Sequence, residues 1–387
     1  MSLGLLAQTC TSAYLYGLPM VLPQLRHAGH LSLATAGWLV AAPSIGLLTS
    51  LIAWGVVVDR RGERDVMALG LALAAGCLLL AAPLHGFAAR FILLLLAGAA
   101  GGAIPSASGR VVMGWFDAHE RGTVMGIRQT AQPLGVALAA ITFPPLANAF
   151  GVGWALVLPA ALSLLVSGLV LWFVVDPVRP LPVAASVSVE SPYRTATLWR
   201  LHASSALLVI PQFAVGAFAL EFLVTQRHWS TVDAGRLLFG FQLMGAVGRI
   251  AAGRWSDRAG SRLGPMRVIA GVAAATMVAI GIGAARHSLL AVIALGIGVV
   301  VTVADNGLGF TAVAELAGTS WSGRAMGVQN TGQNITASLT PPLLGALIAA
   351  AGFATGFAVV AVFPLIAVLS TPVAAETGRV RRRVLTT

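Results

Sequence analysis

The sequence predicts an all-α membrane protein built as two six-helix bundles. Three observations predict it. Of the 387 residues, 57% are hydrophobic and only 10% charged. The apolar residues fall into twelve runs of membrane-crossing length. A glycine–aspartate–arginine loop in the first half is written again in the second. A soluble domain carries roughly 25% charged residues. A chain with far fewer cannot cover its apolar surface with polar groups, and lipid must do so.

A helix needs about 20 apolar residues to cross a bilayer. The predicted spans are 2–22, 34–57, 66–85, 91–114, 123–147, 152–175, 203–223, 234–256, 265–285, 288–312, 325–349 and 352–374. No basic residue precedes the first span, and no polar gap follows a short apolar core. It is therefore read as a retained helix, not a cleaved signal. All 24 basic residues are arginine. With the amino terminus inside, the inner loops and tail hold seventeen of them, among them Arg60, Arg61, Arg64, Arg254, Arg258, Arg262 and Arg324. The outer loops hold five: Arg26, Arg90, Arg227, Arg236 and Arg286. That asymmetry places both termini in the cytoplasm, in a plasma (inner) membrane. The net charge of +11 does not mark a nucleic-acid surface, because the arginines are spread over short loops. Cys10 and Cys77 lie inside apolar runs and are expected to pack as small apolar groups.

The proline- and serine-containing stretch at 176–200 is the one long connection. It divides the chain into bundles at 1–175 and 201–374, with a basic tail at 375–387. Halves with an even number of spans point the same way, so the repeat is parallel, about an axis along the membrane normal.

The repeat is explicit in the residues. Gly55, Asp59, Arg60, Gly62 and Arg64 return at the same spacing as Gly253, Asp257, Arg258, Gly260 and Arg262, 198 residues later. Met125-Gly126-Ile127-Arg128-Gln129-Thr130-Ala131-Gln132 returns 201 residues later as Met326-Gly327-Val328-Gln329-Asn330-Thr331-Gly332-Gln333. Two nearly constant offsets mean a duplicated half-chain. The glycines let another helix approach closely. A carboxylate at the membrane edge can accept hydrogen bonds from the exposed N–H groups of a neighbouring helix start.

These paired loops resemble the signature loops of the major facilitator superfamily, between helices 2 and 3 and between helices 8 and 9. The resemblance covers essentially the whole chain. It implies that family's fold and secondary active transport by alternating access. It also implies that the loops form a conformational latch, with Asp59 meeting the start of helix 11 and Asp257 the start of helix 5. Three places depart from the family's patterns. Glu63 stands where a second basic residue is common. The stretch 91–96 has no arginine, so a proton-linked role for one there does not carry over. Gln132-Pro133-Leu134-Gly135 only partly matches the glycine–proline run of efflux antiporters.

Ionisable residues inside spans are costly and default to functional candidates. Arg249, Gly253 and Asp257 follow at steps of four and share a helix face. Arg249 therefore lies roughly 12 Å deeper than Asp257 at 1.5 Å per residue. Its forked guanidinium suits a carboxylate or another oxyanion. Arg128 and Gln132, with Gln333, Asn330 and Tyr14, complete the expected substrate contacts, beside Gln329 and Asn334. Asp305, in the tenth span, and Glu221, in the seventh, are the expected proton-coupling groups. Glu221 lies nearer an outer end and can also reach the headgroups.

No metal-spaced histidines, nucleophile turn or carboxylate dyad occurs in the spans, so neither an enzyme nor a cofactor or metal site is expected. The expected function is proton-coupled transport of a small polar or anionic metabolite by a monomer. Its partners would be the solute, protons and the bilayer. The alternative is proton-antiport efflux of drugs or other hydrophobic or cationic compounds.

Overall fold

The computed structural model describes residues 2–107, 129–176, 191–318 and 321–376, and among them there is helix and no strand. In the first half, α1 (Ser2–Gly17) continues through a 3-10 turn (Leu18–Val21) into α2 (Leu22–Gly29). Then come α3 (Leu33–Arg61), α4 (Glu63–Ala81), α5 (Phe87–Gly101), α6 (Ala131–Phe150) and α7 (Trp154–Phe173). After a 3-10 turn (Pro192–Arg194), the second half holds α8 (Ala196–Arg227), α9 (Thr231–Ala259), α10 (Leu263–Ala285), α11 (Leu290–Val301) and α12 (Asn306–Ala317). It ends with α13 (Ser322–Val360) and α14 (Val362–Ser370). Among the described residues, nine helical stretches are long and apolar enough to cross a bilayer. Gly352, at φ +79°, breaks the last of these, so α13 is two spans joined at a glycine.

Two elements differ from the sequence expectation. Helix α8 begins at Ala196, inside the stretch read as a connection, so the seventh span carries an additional two turns at that end. The tenth span is not one helix. Residues Thr302–Asp305 form a turn between α11 and α12, and Asp305 stands at the break.

The chain packs as two compact units. One comprises Met1–Pro182, Gly216–Leu243 and Pro341–Ala350; the other comprises Val183–Val215, Met244–Thr340 and Ala351–Thr387.

In the first unit, α3 and α5 touch through backbone. A Cβ on Gly46 would meet the Leu95 carbonyl, and one on Gly98 would meet Pro43. That closeness lets Ser50 Oγ and Trp54 Nε1 both donate to the Ala99 carbonyl, each at 2.7 Å. Interfaces made by small residues replace the hydrophobic drive that lipid removes. A core of Val66, Met67, Leu71, Ile104, Val166 and Val170 fills the space among α4, α5 and α7. The second unit has its own core, with Leu198, Leu201, Leu208, Met266, Ile269, Leu308 and Val313. The opposite faces carry large apolar side chains: Trp172 is 84% exposed and Leu369 79%. Patches of that kind mark a surface covered by lipid or by another protein.

Candidate functional site

In the second unit, polar side chains from α8, α9, α12 and α13 gather around the break in the tenth span. The break arises where the apolar run gives way to Thr302-Val303-Ala304-Asp305-Asn306. Thr302 Oγ1 returns to the Gly298 carbonyl at 2.7 Å, competing with helix continuation. Asp305 is 2% exposed. The guanidinium of Arg249, from α9, acts on its carboxylate electrostatically. Asn306 Nδ2 donates to Gln212 Oε1 of α8 at 3.0 Å, and its Oδ1 accepts from Gln333 Nε2 of α13 at 3.5 Å. A chain of amides thus crosses three helices beside the acid. On α13, Asn334 Nδ2 donates to both the carbonyl and Oδ1 of Asn330, at 2.9 and 3.0 Å.

One turn from Gln333, Gln329 faces His202 of α8. The imidazole Nδ1 lies 2.7 Å from Gln329 Oε1, and Nε2 lies 3.0 Å from the Tyr193 hydroxyl. Tyr193 also packs its ring on His202 and Trp199, and burial raises its phenol pKa.

The structure brings Arg249, Asp305 and Gln333 into this cluster and leaves other expected residues elsewhere. Tyr14 is fully buried between α1 and α5, donating to the Ala97 carbonyl at 3.4 Å. Its side chain presents no surface to solvent in this structure. Glu221 is 0% exposed and ion-paired to Arg26, both within the first unit. Gln132 lies in the first turn of α6, half-buried, also in the first unit. Arg128 lies outside the described residues.

Among the described residues, no atom stands within 4 Å of a Cβ built on Gly55 or Gly253. Gly62 and Gly260 hold positive φ, +91° and +60°, which explains glycine at those two places. Asp257 pairs with Arg262 of its own loop. The start of helix 5 and the side chain of Asp59 lie outside the described residues. Arg60 and Arg258 are exposed. Arg64 is exposed too, and its backbone N–H donates to Asp176 Oδ1 at 2.7 Å. Burial lowers the Arg262 pKa, but the hydrogen bond to Asp257 and the charge of Glu315 outweigh it, and the net shift is upward.

Among the described residues, two carboxylates that the sequence reading passed over meet helix starts. Asp176, just beyond α7, covers the start of α4, and a Cβ on Gly62 would strike it. Glu376, beyond α14, accepts from the backbone of Arg262 at 2.8 Å and of Leu263 at 3.1 Å, and from Ser261 Oγ at 2.5 Å. The two acids stand 200 residues apart, close to the 198- and 201-residue offsets of the repeated segments, so the clasp follows the repeat. Glu376→Ala is expected to destabilise the second unit by about 1–2 kcal/mol, the usual worth of an N-terminal cap. Thermal unfolding in detergent checks this, with Glu376→Gln losing less.

The sequence of residues 4–341 matches the Major Facilitator Superfamily. The chain belongs to the Major Facilitator Superfamily. It is 44% identical over 377 residues to the uncharacterized MFS-type transporter Rv2994 of Mycobacterium tuberculosis, covering 96% of this chain and 83% of that protein. It is 31% identical over 274 residues to the solute carrier family 49 member 4 homolog of Xenopus tropicalis, covering 57% of each. Among solved structures, it resembles a bacterial homolog of the human lysosomal transporter Spinster, with TM-score 0.80, 15% identity and coverage of 97% and 96%. It also resembles the human organic anion transporter MFSD10, with TM-score 0.70, 18% identity and coverage of 95% and 97%. At those identities the structural likeness shows the MFS fold. The protein is a multi-pass membrane protein of a transporter family.

Proposed function

We propose that this MFS protein is a secondary active transporter, working by alternating access, that couples proton movement to transport of a small polar or anionic solute. The observation that carries the reading is the buried Asp305 at a helix break, with Arg249 in electrostatic reach and an amide chain beside it. Buried ionisable groups in spans are expensive and are kept where charge or protons must pass. The arginine offers planar, forked donors to an oxyanion, and the amides offer donors and acceptors to polar groups. The arginine bias of the loops supports cytoplasmic termini.

The test starts with thermal shift of the purified protein across carboxylates, phosphates, other polar metabolites and cationic drugs. Flux of each hit is then measured in proteoliposomes with and without a pH gradient. An anionic or polar solute is expected to stabilise the protein. Arg249→Ala should weaken it by about 1.5–3 kcal/mol, the worth of hydrogen bonds to a charged group. Hits confined to hydrophobic cations, indifferent to Arg249→Ala, would replace this reading with efflux.

A further inference from the structure

Away from the duplicated loops, at the other end of the spans, helices from both halves of the sequence meet inside the first compact unit. Three glycines make the approaches. A Cβ on Gly37 of α3 would stand 2.7 Å from the Pro341 carbonyl oxygen of α13. One on Gly345 of α13 would stand 2.9 Å from the Leu33 carbonyl oxygen of α3. One on Gly235 of α9 would strike the Ala140 carbonyl oxygen of α6. Side chains tie the same end together. Arg26 of α2 pairs with Glu221 of α8. Gln24 of α2 donates to Asn148 of α6, and Asn148 donates to Thr231 of α9, at 3.1 and 2.8 Å.

These ties are incompletely satisfied. Among the described residues, Arg26 Nε, Glu221 Oε2 and Gln24 Oε1 are buried without a hydrogen-bond partner. A buried polar atom left unpaired carries the full cost of its desolvation. Parting the helices would hydrate all three atoms at once, and both charges with them. That differs from deleting one partner, which strands the other. Where buried ion pairs have an attested use, it is in setting register or switching, more than in adding stability. At the three glycines backbone meets backbone, so no side chain has to withdraw when the helices separate.

We propose that these residues form a gate at the outer end of the protein, closed in this structure, and that the Arg26–Glu221 pair sets the balance between its closed and parted states. The inference rests on the reading of the protein as an alternating-access transporter, and the word outer on the orientation read from the arginines. The gate opens by loss of the ion pair and of the Gln24–Asn148–Thr231 chain. In the same step α3 draws away from α13, and α6 from α9. While it is closed, the backbone contacts leave no path to the outer medium between those helices.

The test measures the parting directly. Spin labels are attached through His85→Cys, between α4 and α5, and Arg286→Cys, just after α10. Both loops lie at the gated end, and the native thiols are removed by Cys10→Ala and Cys77→Ala. The distance between labels is read by double electron–electron resonance on the full chain in vesicles of phosphatidylethanolamine and phosphatidylglycerol, with no solute added. A short distance should dominate in the labelled parent. Glu221→Gln is expected to raise the ratio of long to short distances at least about tenfold, a shift that takes about 1.4 kcal/mol. Gly37→Ala pushes a methyl against the Pro341 carbonyl and should act in the same direction. It leaves the ion pair intact, and it carries the test if Glu221→Gln fails to fold. Distances that lengthen in the folded variants support the gate. Distances that stay in place while only the unfolding temperature falls are the mark of packing, and they overturn it. Flux of the thermal-shift hits is measured on the same proteins. Lengthened distances with no flux of any hit, in parent or variants, would remove the transport reading and leave the moving contact. Unchanged distances with flux at the parent rate would remove the gate and leave the transport reading.

Discussion

Asp305→Asn is expected to cut pH-gradient-driven flux by about a hundredfold or more while leaving gradient-free exchange of the same solute within a few-fold of wild type. Asparagine keeps the size and a hydrogen-bonding head, so the break between α11 and α12 should survive. What it removes is the capacity to take up and release a proton. Net flux needs that step once per cycle; exchange, which carries solute both ways in one protonation state, does not. Flux of the solute found by thermal shift, in the same vesicles with and without the gradient, separates the two. A different result has a definite meaning. If Asp305 serves only to balance Arg249, the asparagine leaves an uncompensated cation, and exchange and driven flux should fall together. In that case, adding Arg249→Ala should restore part of the loss, because residues in one charge network do not act additively.

Several features of this chain were legible from sequence because their physical cause is local. Hydropathy marks a span wherever it occurs, and the loop repeat is a matter of spacing, so both the twelve spans and the duplication could be read directly. Asp305 stood out for the same reason: an acid in an apolar run is conspicuous without its partners. The rest depends on which helices meet. Gln212 and Asn306 are unremarkable amides until α8 and α12 place them 3.0 Å apart. His202 lay in a stretch read as the edge of a loop, and only the early start of α8 buries it. Tyr14 has the polar tip of a solute contact, but the close approach at Gly101 encloses it. One missed feature did leave a signal. A carboxylate follows the sixth span and another follows the twelfth, 200 residues apart, close to the 198-residue offset of the loops. Extending the repeat to the ends of the halves would have pointed to Asp176 and Glu376.

The least legible contact carries the largest stability prediction. Arg26 and Glu221 are separated by 195 residues, yet they pair within one compact unit, at the end of the spans opposite the duplicated loops. Glu221 is fully buried, whereas the Arg26 side chain is 32% exposed. The pair stands with polar ties from Gln24 to Asn148 at 3.1 Å and from Asn148 to Thr231 at 2.8 Å. Removing one partner of a buried ion pair costs about 3–5 kcal/mol, because the remaining charge stays desolvated. The exposure of Arg26 bounds the loss from Glu221→Gln, since the freed guanidinium can turn to water. Arg26→Ala is the harsher change: it strands a carboxylate that has no route out. It is expected to destabilise the protein by about 3 kcal/mol, near the lower end of that range, because water already screens part of the pair. Arg26→Ala with Glu221→Gln should recover much of this loss, as a neutral amide is far cheaper to bury than an unpaired carboxylate. Thermal unfolding of the four proteins in one detergent closes the cycle. Equal losses in the single and double variants would show that the pair adds nothing beyond packing. Recovery in the double variant would show that this tie between the two halves of the sequence is held by charge.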